Sequence, residues 1–284
     1  MDSAVFIAAA IMTGLAAFFG LLLAGANRWL RVQEDPRVEQ VETLLPGTNC
    51  GACGQPGCRG FAEALVLGTV TPGGCTVSTA DGIRGIADFL GVDVGLQVRR
   101  VARLHCAGGT SSVRMVADYR GPSSCRAAHL VNGGGRACPW GCLGLGDCDH
   151  ACSFGAIHMN DEALPVVAVD LCTACNDCVA VCPLDLFTLE PITNPLLVQC
   201  RNPLSGEAAR AVCRVACDAC GRCALDAPEG AVRMEGGLPH IYAPEQTAAS
   251  TTARCPTGAI RWVTGDQFGA TPVLLGIEAA ITHG

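Results

Sequence analysis

The residues here best able to do chemistry are cysteines, twenty of them in 284 residues, well above ordinary usage. The densest run is "CTACNDCVAVCP", which holds Cys172, Cys175, Cys178, Cys182 and Pro183. Its form is C-x2-C-x2-C-x3-C-P. A tight loop at this spacing can wrap three corners of a [4Fe–4S] cubane, while the following turn carries the fourth cysteine away to a second cluster. Two C-x2-C zinc knuckles are the competing reading, but four cysteines this close, ending in Cys-Pro, fit iron better. The partner group is "CPWGCLGLGDCDHACSFGAI", with Cys138, Cys142, Cys148 and Cys152, stretched spacing, and Ser153 where Pro is usual. Cross-ligation predicts one cluster on Cys138, Cys142, Cys148 and Cys182, and another on Cys152, Cys172, Cys175 and Cys178. Cys138 is the weak member, because a standard run puts no ligand there.

A third run, "CDACGRCALDAP", has Cys217, Cys220 and Cys223, but Ala227 stands where the fourth cysteine is due. Counting back from Cys255–Pro256 on the same template, the ligand positions hold Glu245, Ala248 and Thr251. By the cross-ligation rule these four losses all fall in one cluster. The four survivors, Cys217, Cys220, Cys223 and Cys255, all belong to the other. This coherence predicts a module that keeps one live cluster. A degenerate module that keeps only its fold is the alternative.

A fourth group, "NCGACGQPGC…GGC", has Cys50, Cys53, Cys58 and Cys75 among glycines that let backbone wrap a cofactor closely. Spacing alone also permits zinc there. Cys106, Cys125, Cys200 and Cys213 remain. Twenty is five fours, so four clusters are expected and a fifth on these leftovers is arithmetically open, against buried structural thiols as the alternative. The six histidines lack ligand-like spacing, although His150 lies inside a cysteine loop. "GLGD" at 144–147 echoes a dinucleotide loop but lacks the third Gly and the strand–helix context, and no phosphate-binding loop is present. No flavin or nucleotide site and no catalytic residue is read from this sequence.

The elements that must position these loops are short. The segments "CSFGAIHM", "APEGAVRM" and "CPTGAIRW", with "CPLDLFTL" as a looser copy, each put a loop before a short strand, an internal repeat. "VRRVARLHC" (98–106) and "PLLVQC" (195–200) read as strands ending in Cys, and "DGIRGIADFLGVDVG" (81–95) as an amphipathic helix and a turn. From Ala4 to Ala26 no charge interrupts the chain. At about 1.5 Å per residue this is roughly 35 Å of helix, enough to span a bilayer. A cleaved signal peptide needs a basic leader, and only Asp2 precedes the run. Arg28 and Arg31 follow it, so the positive-inside rule predicts an outside N-terminus and a cytoplasmic bulk. In a reducing cytoplasm twenty cysteines point to metal rather than disulfides. A net charge of -7, with every one of the 19 basic residues Arg, argues against nucleic acid. The expected fold class is α+β, divided as membrane anchor (1–31), a small helical [4Fe–4S] domain with linker (32–95), a strand-containing connecting region (96–137), a two-cluster ferredoxin-like module (138–195) and a third such module with one cluster (196–284).

The order of these motifs, an N-terminal span, then "NCGACGQPGC…GGC", then "CAGG…DYRGPSSCRAAHL…GGGRACPWGCLGLGDC", then ferredoxin repeats, resembles the B subunit of the Rnf complex over essentially the whole chain. The resemblance implies an inner-membrane, ion-pumping oxidoreductase between ferredoxin and NAD, with this chain as its iron–sulfur arm. It also implies soluble ferredoxin as electron donor, and membrane and peripheral partner subunits that carry flavin and NAD. The last module departs from the pattern, since many long members keep both clusters there. Rival readings are an electron-transfer subunit of a hydrogenase- or formate-enzyme-type membrane complex, a corrinoid iron–sulfur protein, for which no segment is long enough to form a cobalamin domain, and a zinc scaffold. Arg99, Arg100 and Arg103 are a candidate docking patch, with an ordinary solvated face as the alternative.

Overall fold

The computed structural model describes residues 2–30, 35–96 and 98–269. Helix α1 (Asp2–Leu30) contains the apolar stretch Phe6–Trp29, 24 residues whose side chains are not packed against the rest of the chain. Its large apolar residues, among them Phe18, Leu21 and Trp29, are exposed. Such a surface is unfavourable in water and suited to lipid. Arg31 lies outside the described residues.

A small helical unit follows. Helix α2 (Pro36–Leu44) starts where the Asp35 carboxylate accepts the Arg37 N–H at 2.9 Å and Pro36 fills the first turn. Helix α3 (Cys58–Val66) and helix α4 (Ala80–Leu90) complete it. Thr79 caps α4 by accepting from the Gly82 N–H at 3.1 Å, and Gly91, left-handed, ends it. Val41, Phe61, Leu65 and Ile86 form the unit's core, with Cys58 and Cys75 buried among them.

The remainder is built from eight short strands. In order they are β1 (Arg100–Leu104), β2 (Ile157–Met159), β3 (Pro165–Val167), β4 (Phe187–Pro191), β5 (Leu196–Val198), β6 (Val232–Glu235), β7 (Leu238–Ile241) and β8 (Ile260–Trp262). They pair antiparallel as β1·β4, β2·β3, β5·β8 and β6·β7. Each group of four therefore nests an inner hairpin inside an outer pair. The strand expected in the connecting region, β1, shares a sheet with β4, with Leu104 opposite Phe187. The repeats fall where the sequence places them: β2, β4, β6 and β8 each follow a cysteine-bearing or formerly cysteine-bearing loop.

Short helices carry those loops: α5 (Cys125–Leu130), α6 (Asp147–His150), α7 (Asp177–Val181), α8 (Gly206–Val212) and α9 (Arg222–Asp226). Where the first four-strand group has α7 between its third and fourth strands, the second has only 3-10 turns at Pro244–Gln246 and Ala249–Thr252. The tail also returns to the first group. The Gln267 amide donates to the Leu104 carbonyl at 2.7 Å, and its oxygen accepts the Leu104 N–H at 2.9 Å, a side-chain imitation of strand pairing on β1. Both groups are buried, so Gln267→Ala should cost about 2–4 kcal/mol, two unsatisfied backbone groups. A denaturant midpoint within error of wild type would contradict this.

Candidate metal centre

Four thiols of the helical unit, Cys50, Cys53, Cys58 and Cys75, line one cavity with Phe61 beneath. The Asn49 side chain accepts the Cys58 N–H at 2.8 Å, which starts α3 at a thiol. Gly57 has φ 94, and a Cβ there would meet Asn49 Oδ1 at 2.9 Å. Position 57 is thus closed to any side chain in this wrap. Gly57→Ala should cost the unit its bound metal, read as iron per chain. Undiminished iron would show that the loop can shift.

A second cavity is lined by Cys152, Cys172, Cys175 and Cys178. The loop that delivers the last three uses two left-handed residues, Ala174 (φ 56) and Asn176 (φ 79). The terminal run repeats this turn for turn with Ala219 (φ 59) and Gly221 (φ 70). A left-handed alanine is disfavoured by about 1 kcal/mol or more, so its recurrence marks a retained wrap. In each of α6, α7 and α9 a left-handed residue caps the helix and the second helical residue is a cysteine: Cys148, Cys178 and Cys223.

Thiol electrostatics shows which cysteines face one another. Burial pushes Cys178 up to about 12, reinforced by Cys172, Cys175, Cys148 and Cys152. Burial likewise pushes Cys217 up to about 11, with Cys200, Cys223 and Cys255 adding to it. Cys148 is pushed up to about 12 by burial, then by Cys125 and Cys182. Cys138 is pushed up to about 11 by burial, with Cys106, Cys200 and Cys213 adding to it. The spacing-based sets of Cys50, Cys53, Cys58, Cys75, of Cys152, Cys172, Cys175, Cys178 and of Cys217, Cys220, Cys223, Cys255 thus come together.

The other eight cysteines are grouped differently from the sequence expectation. Cys125, expected with the leftovers, faces Cys148. Cys138, expected beside Cys148 and Cys182, faces Cys106, Cys200 and Cys213. The cause is local. Asp147 accepts from Ser124 Oγ at 3.0 Å and from the Arg126 N–H at 3.2 Å, which docks the start of α5, and with it Cys125, beside Cys148. Cys138 lies beyond the bend at Gly141, on the Cys106 side.

All twenty thiols are free, and among the described residues no three Cys, His, Asp or Glu side chains converge closely enough for a single metal ion. One zinc would need thiolates about 3.8 Å apart, given Zn–S of about 2.3 Å. Thiols within electrostatic reach of one another but not converging on a point suit a multi-iron cluster. Backbone N–H groups meet the sulfurs: Ala156 to Cys152 at 3.3 Å, Leu186 to Cys182 at 3.4 Å and Ala102 to Cys172 at 3.5 Å. Such donors favour the anionic thiolate and tune a cluster's potential.

Two of the four template positions that lack a cysteine are packed into the fold, while Glu245 and Ala248 are exposed. Thr251 is 1% exposed, and Ala227 packs against the Val232–Ile260 core. Asp226, at the end of α9, pairs with Arg254, whose Nε donates to it at 2.8 Å. An ion pair thus joins the two loops that a cluster would otherwise cross-link.

Comparison with known proteins places this arrangement. A family model described as "Putative Fe-S cluster" matches residues 45–77. The B subunit of the ion-translocating oxidoreductase complex of Methanosarcina acetivorans is 34% identical over 261 residues, 92% of this chain and 99% of that one. The chain belongs to the B-subunit family of these Rnf-type complexes. The B subunit of the proton-translocating ferredoxin:NAD(+) oxidoreductase complex of Clostridium ljungdahlii is 35% identical over 88% of this chain and 90% of its own length. The B subunit of the Na(+)-translocating ferredoxin:NAD(+) oxidoreductase complex of Acetobacterium woodii is 37% identical over 217 residues, 76% of this chain but 65% of its own length.

In this Rnf-type chain one sequence reading needs correction. The Arg99–Arg100–Arg103 patch loses its third member: Arg99 and Arg100 are exposed, Arg103 is not. Arg103 is 1% exposed, its Nη1 donates to the Gly265 carbonyl at 2.8 Å, and Cys172, Asp266 and Glu190 lie within electrostatic reach. Arg99 donates to the Val169 carbonyl at 2.7 Å. His150, inside the cysteine loop, is exposed near Asp147, as an ordinary polar residue would be. The sequence placed Arg103 at the surface because a charged residue in a strand ordinarily points to solvent; the unbroken burial of residues 101–104 is set by tertiary packing.

Proposed function

We propose that this chain is the membrane-tethered iron–sulfur electron-transfer subunit of an Rnf-type complex, passing electrons from reduced ferredoxin toward NAD in a process coupled to Na+ or H+ translocation. It breaks no substrate bonds itself. One observation carries the reading: sets of four free thiols, mostly buried or half-buried, each on a glycine- or left-handed-turn loop, recur along a chain of the B-subunit family. On this reading clusters are held by Cys50, Cys53, Cys58 and Cys75; by Cys152, Cys172, Cys175 and Cys178; by Cys217, Cys220, Cys223 and Cys255; and by Cys142, Cys148 and Cys182 with Cys125 in place of Cys138. The nested strand pairs support two ferredoxin-like modules, the first reaching back to β1.

Bound [4Fe–4S] clusters supply one-electron carriers, and thiolate ligation in a chain of net charge -7 favours low potential. The chain's own part is to hold the carriers close, exclude water and present an entry point. Cys220 alone of the twenty cysteines is exposed, so the terminal module offers the shortest approach from a soluble donor. Helix α1 anchors the arm in the cell membrane, and Arg28 at its end favours an outside N-terminus and a cytoplasmic bulk. Membrane and peripheral subunits take the electrons onward.

The test is anaerobic mixing of the full chain in detergent with reduced soluble ferredoxin. Cluster EPR signals should appear as ferredoxin is oxidised, and Cys217→Ser should slow this and remove about four iron atoms, one cubane. Iron-loaded protein that reduced ferredoxin leaves oxidised would overturn the donor assignment.

A further inference from the structure

We infer that Cys106, Cys138, Cys200 and Cys213 bind a fifth iron–sulfur cluster, lying between the terminal thiol set and the central pair. The inference rests on the electron-transfer reading above. These thiols come from four separate segments: the residues after β1, the bend before Cys142, the residues after β5, and the end of α8. They are 7%, 6%, 9% and 7% exposed. A structural cysteine behaves as a small hydrophobe among apolar neighbours; here four thiols face one another, and none forms a disulfide.

The surroundings are built for thiolates. Cys106 Sγ accepts the N–H of Gly108 at 3.4 Å and of Cys142 at 3.3 Å, and Cys200 Sγ accepts those of Asn202 at 3.4 Å and Cys217 at 3.3 Å. A Cβ on Gly108 would stand 3.1 Å from Cys213 Sγ and 3.6 Å from Cys106 Sγ. One on Gly141 would stand 3.5 Å from Cys138 Sγ and 3.7 Å from Cys106 Sγ. Neither glycine has positive φ, so bare space beside the sulfurs, not backbone conformation, is what they supply. The Arg136 guanidinium, held by the Gly108 carbonyl at 3.1 Å, brings positive charge toward Cys213.

Position gives the site its role. Cys142, whose N–H meets Cys106, belongs to the central set, and Cys217, whose N–H meets Cys200, belongs to the terminal one. Cys148 and Cys178 in turn link the two central sets. Terminal, fifth and central sites thus form an unbroken series, which four clusters would leave interrupted in the middle.

The test is iron and sulfide analysis with Mössbauer spin counting on the full chain in detergent, prepared anaerobically. Wild type should carry about 20 iron atoms, four per cubane. Cys138→Ser and Cys200→Ser should each lose the same spectral species, about a fifth of the iron, whereas Cys125→Ser should leave that species and alter a different one. Wild type with about 16 iron atoms, and Cys138→Ser with no fewer, would overturn the fifth site while leaving the electron-transfer reading intact. Zinc with little iron would overturn both. Where a variant fails to fold, the wild-type count decides.

Discussion

Stripping the iron from the full chain with an anaerobic chelator should abolish cooperative folding of residues 98–269 while α1 stays helical in detergent. The eight strands make four separate two-stranded ribbons, none stable alone. The first module's core contains Cys106, Cys142, Cys148 and Cys178 among its buried residues, and another cluster of the core is half cysteine: Cys200, Cys213 and Cys217 with Ala209, Ala216 and Ala259. Such cores have little apolar area to bury, so the free energy of metal binding becomes folding free energy. Far-UV circular dichroism and a urea titration would show it: loss of the transition on iron removal, and its return on reconstitution. An apo chain that still unfolds cooperatively at the wild-type midpoint would contradict this. Any compact apo state should also weaken as pH rises. Cys138 and Cys178, at about 11 and about 12, resist an ionisation that the unfolded chain undergoes near 8.5. Their contribution is whole below about 8.5 and is lost as pH climbs toward the folded values. The urea midpoint of any such state should therefore be lower at alkaline pH than at neutral pH.

Arg103→Met should lower the potential of the cluster proposed on Cys152, Cys172, Cys175 and Cys178 by on the order of 100 mV, the influence of a unit charge several Å away at an effective dielectric constant of about 20. The guanidinium is 1% exposed and within reach of Cys172, so water screens it little. Methionine keeps the stem's packing and removes the charge. An EPR-monitored redox titration should show the shift confined to one species, with the Cys50–Cys75 cluster unmoved. No shift would mean that Asp266 and Glu190 already neutralise Arg103, and a uniform shift would contradict a local charge effect.

The cysteine runs were legible because a cluster-wrapping loop is local. C-x2-C-x2-C places three thiols by backbone turns alone, and the left-handed residues at 174, 176, 219 and 221 fall in the same places in the live run and the shortened one. The missing-ligand pattern was legible for the same reason. What spacing could not carry is which distant thiol completes a set. Cys125 reaches Cys148 because Asp147 holds the start of α5, and Cys138 turns away at Gly141; both are tertiary facts. The same holds for β1. Its existence was readable, but its pairing with β4 across some eighty residues, the burial of Arg103 within it and the Gln267 clasp on its edge were not.

Whether the twenty cysteines hold electron carriers is decided by the metal content of the chain. Iron, acid-labile sulfide and zinc should be measured together on the anaerobically purified full chain. About 20 iron atoms matched by as much sulfide, and no stoichiometric zinc, are expected. Zinc in place of iron, or iron without sulfide, would contradict this.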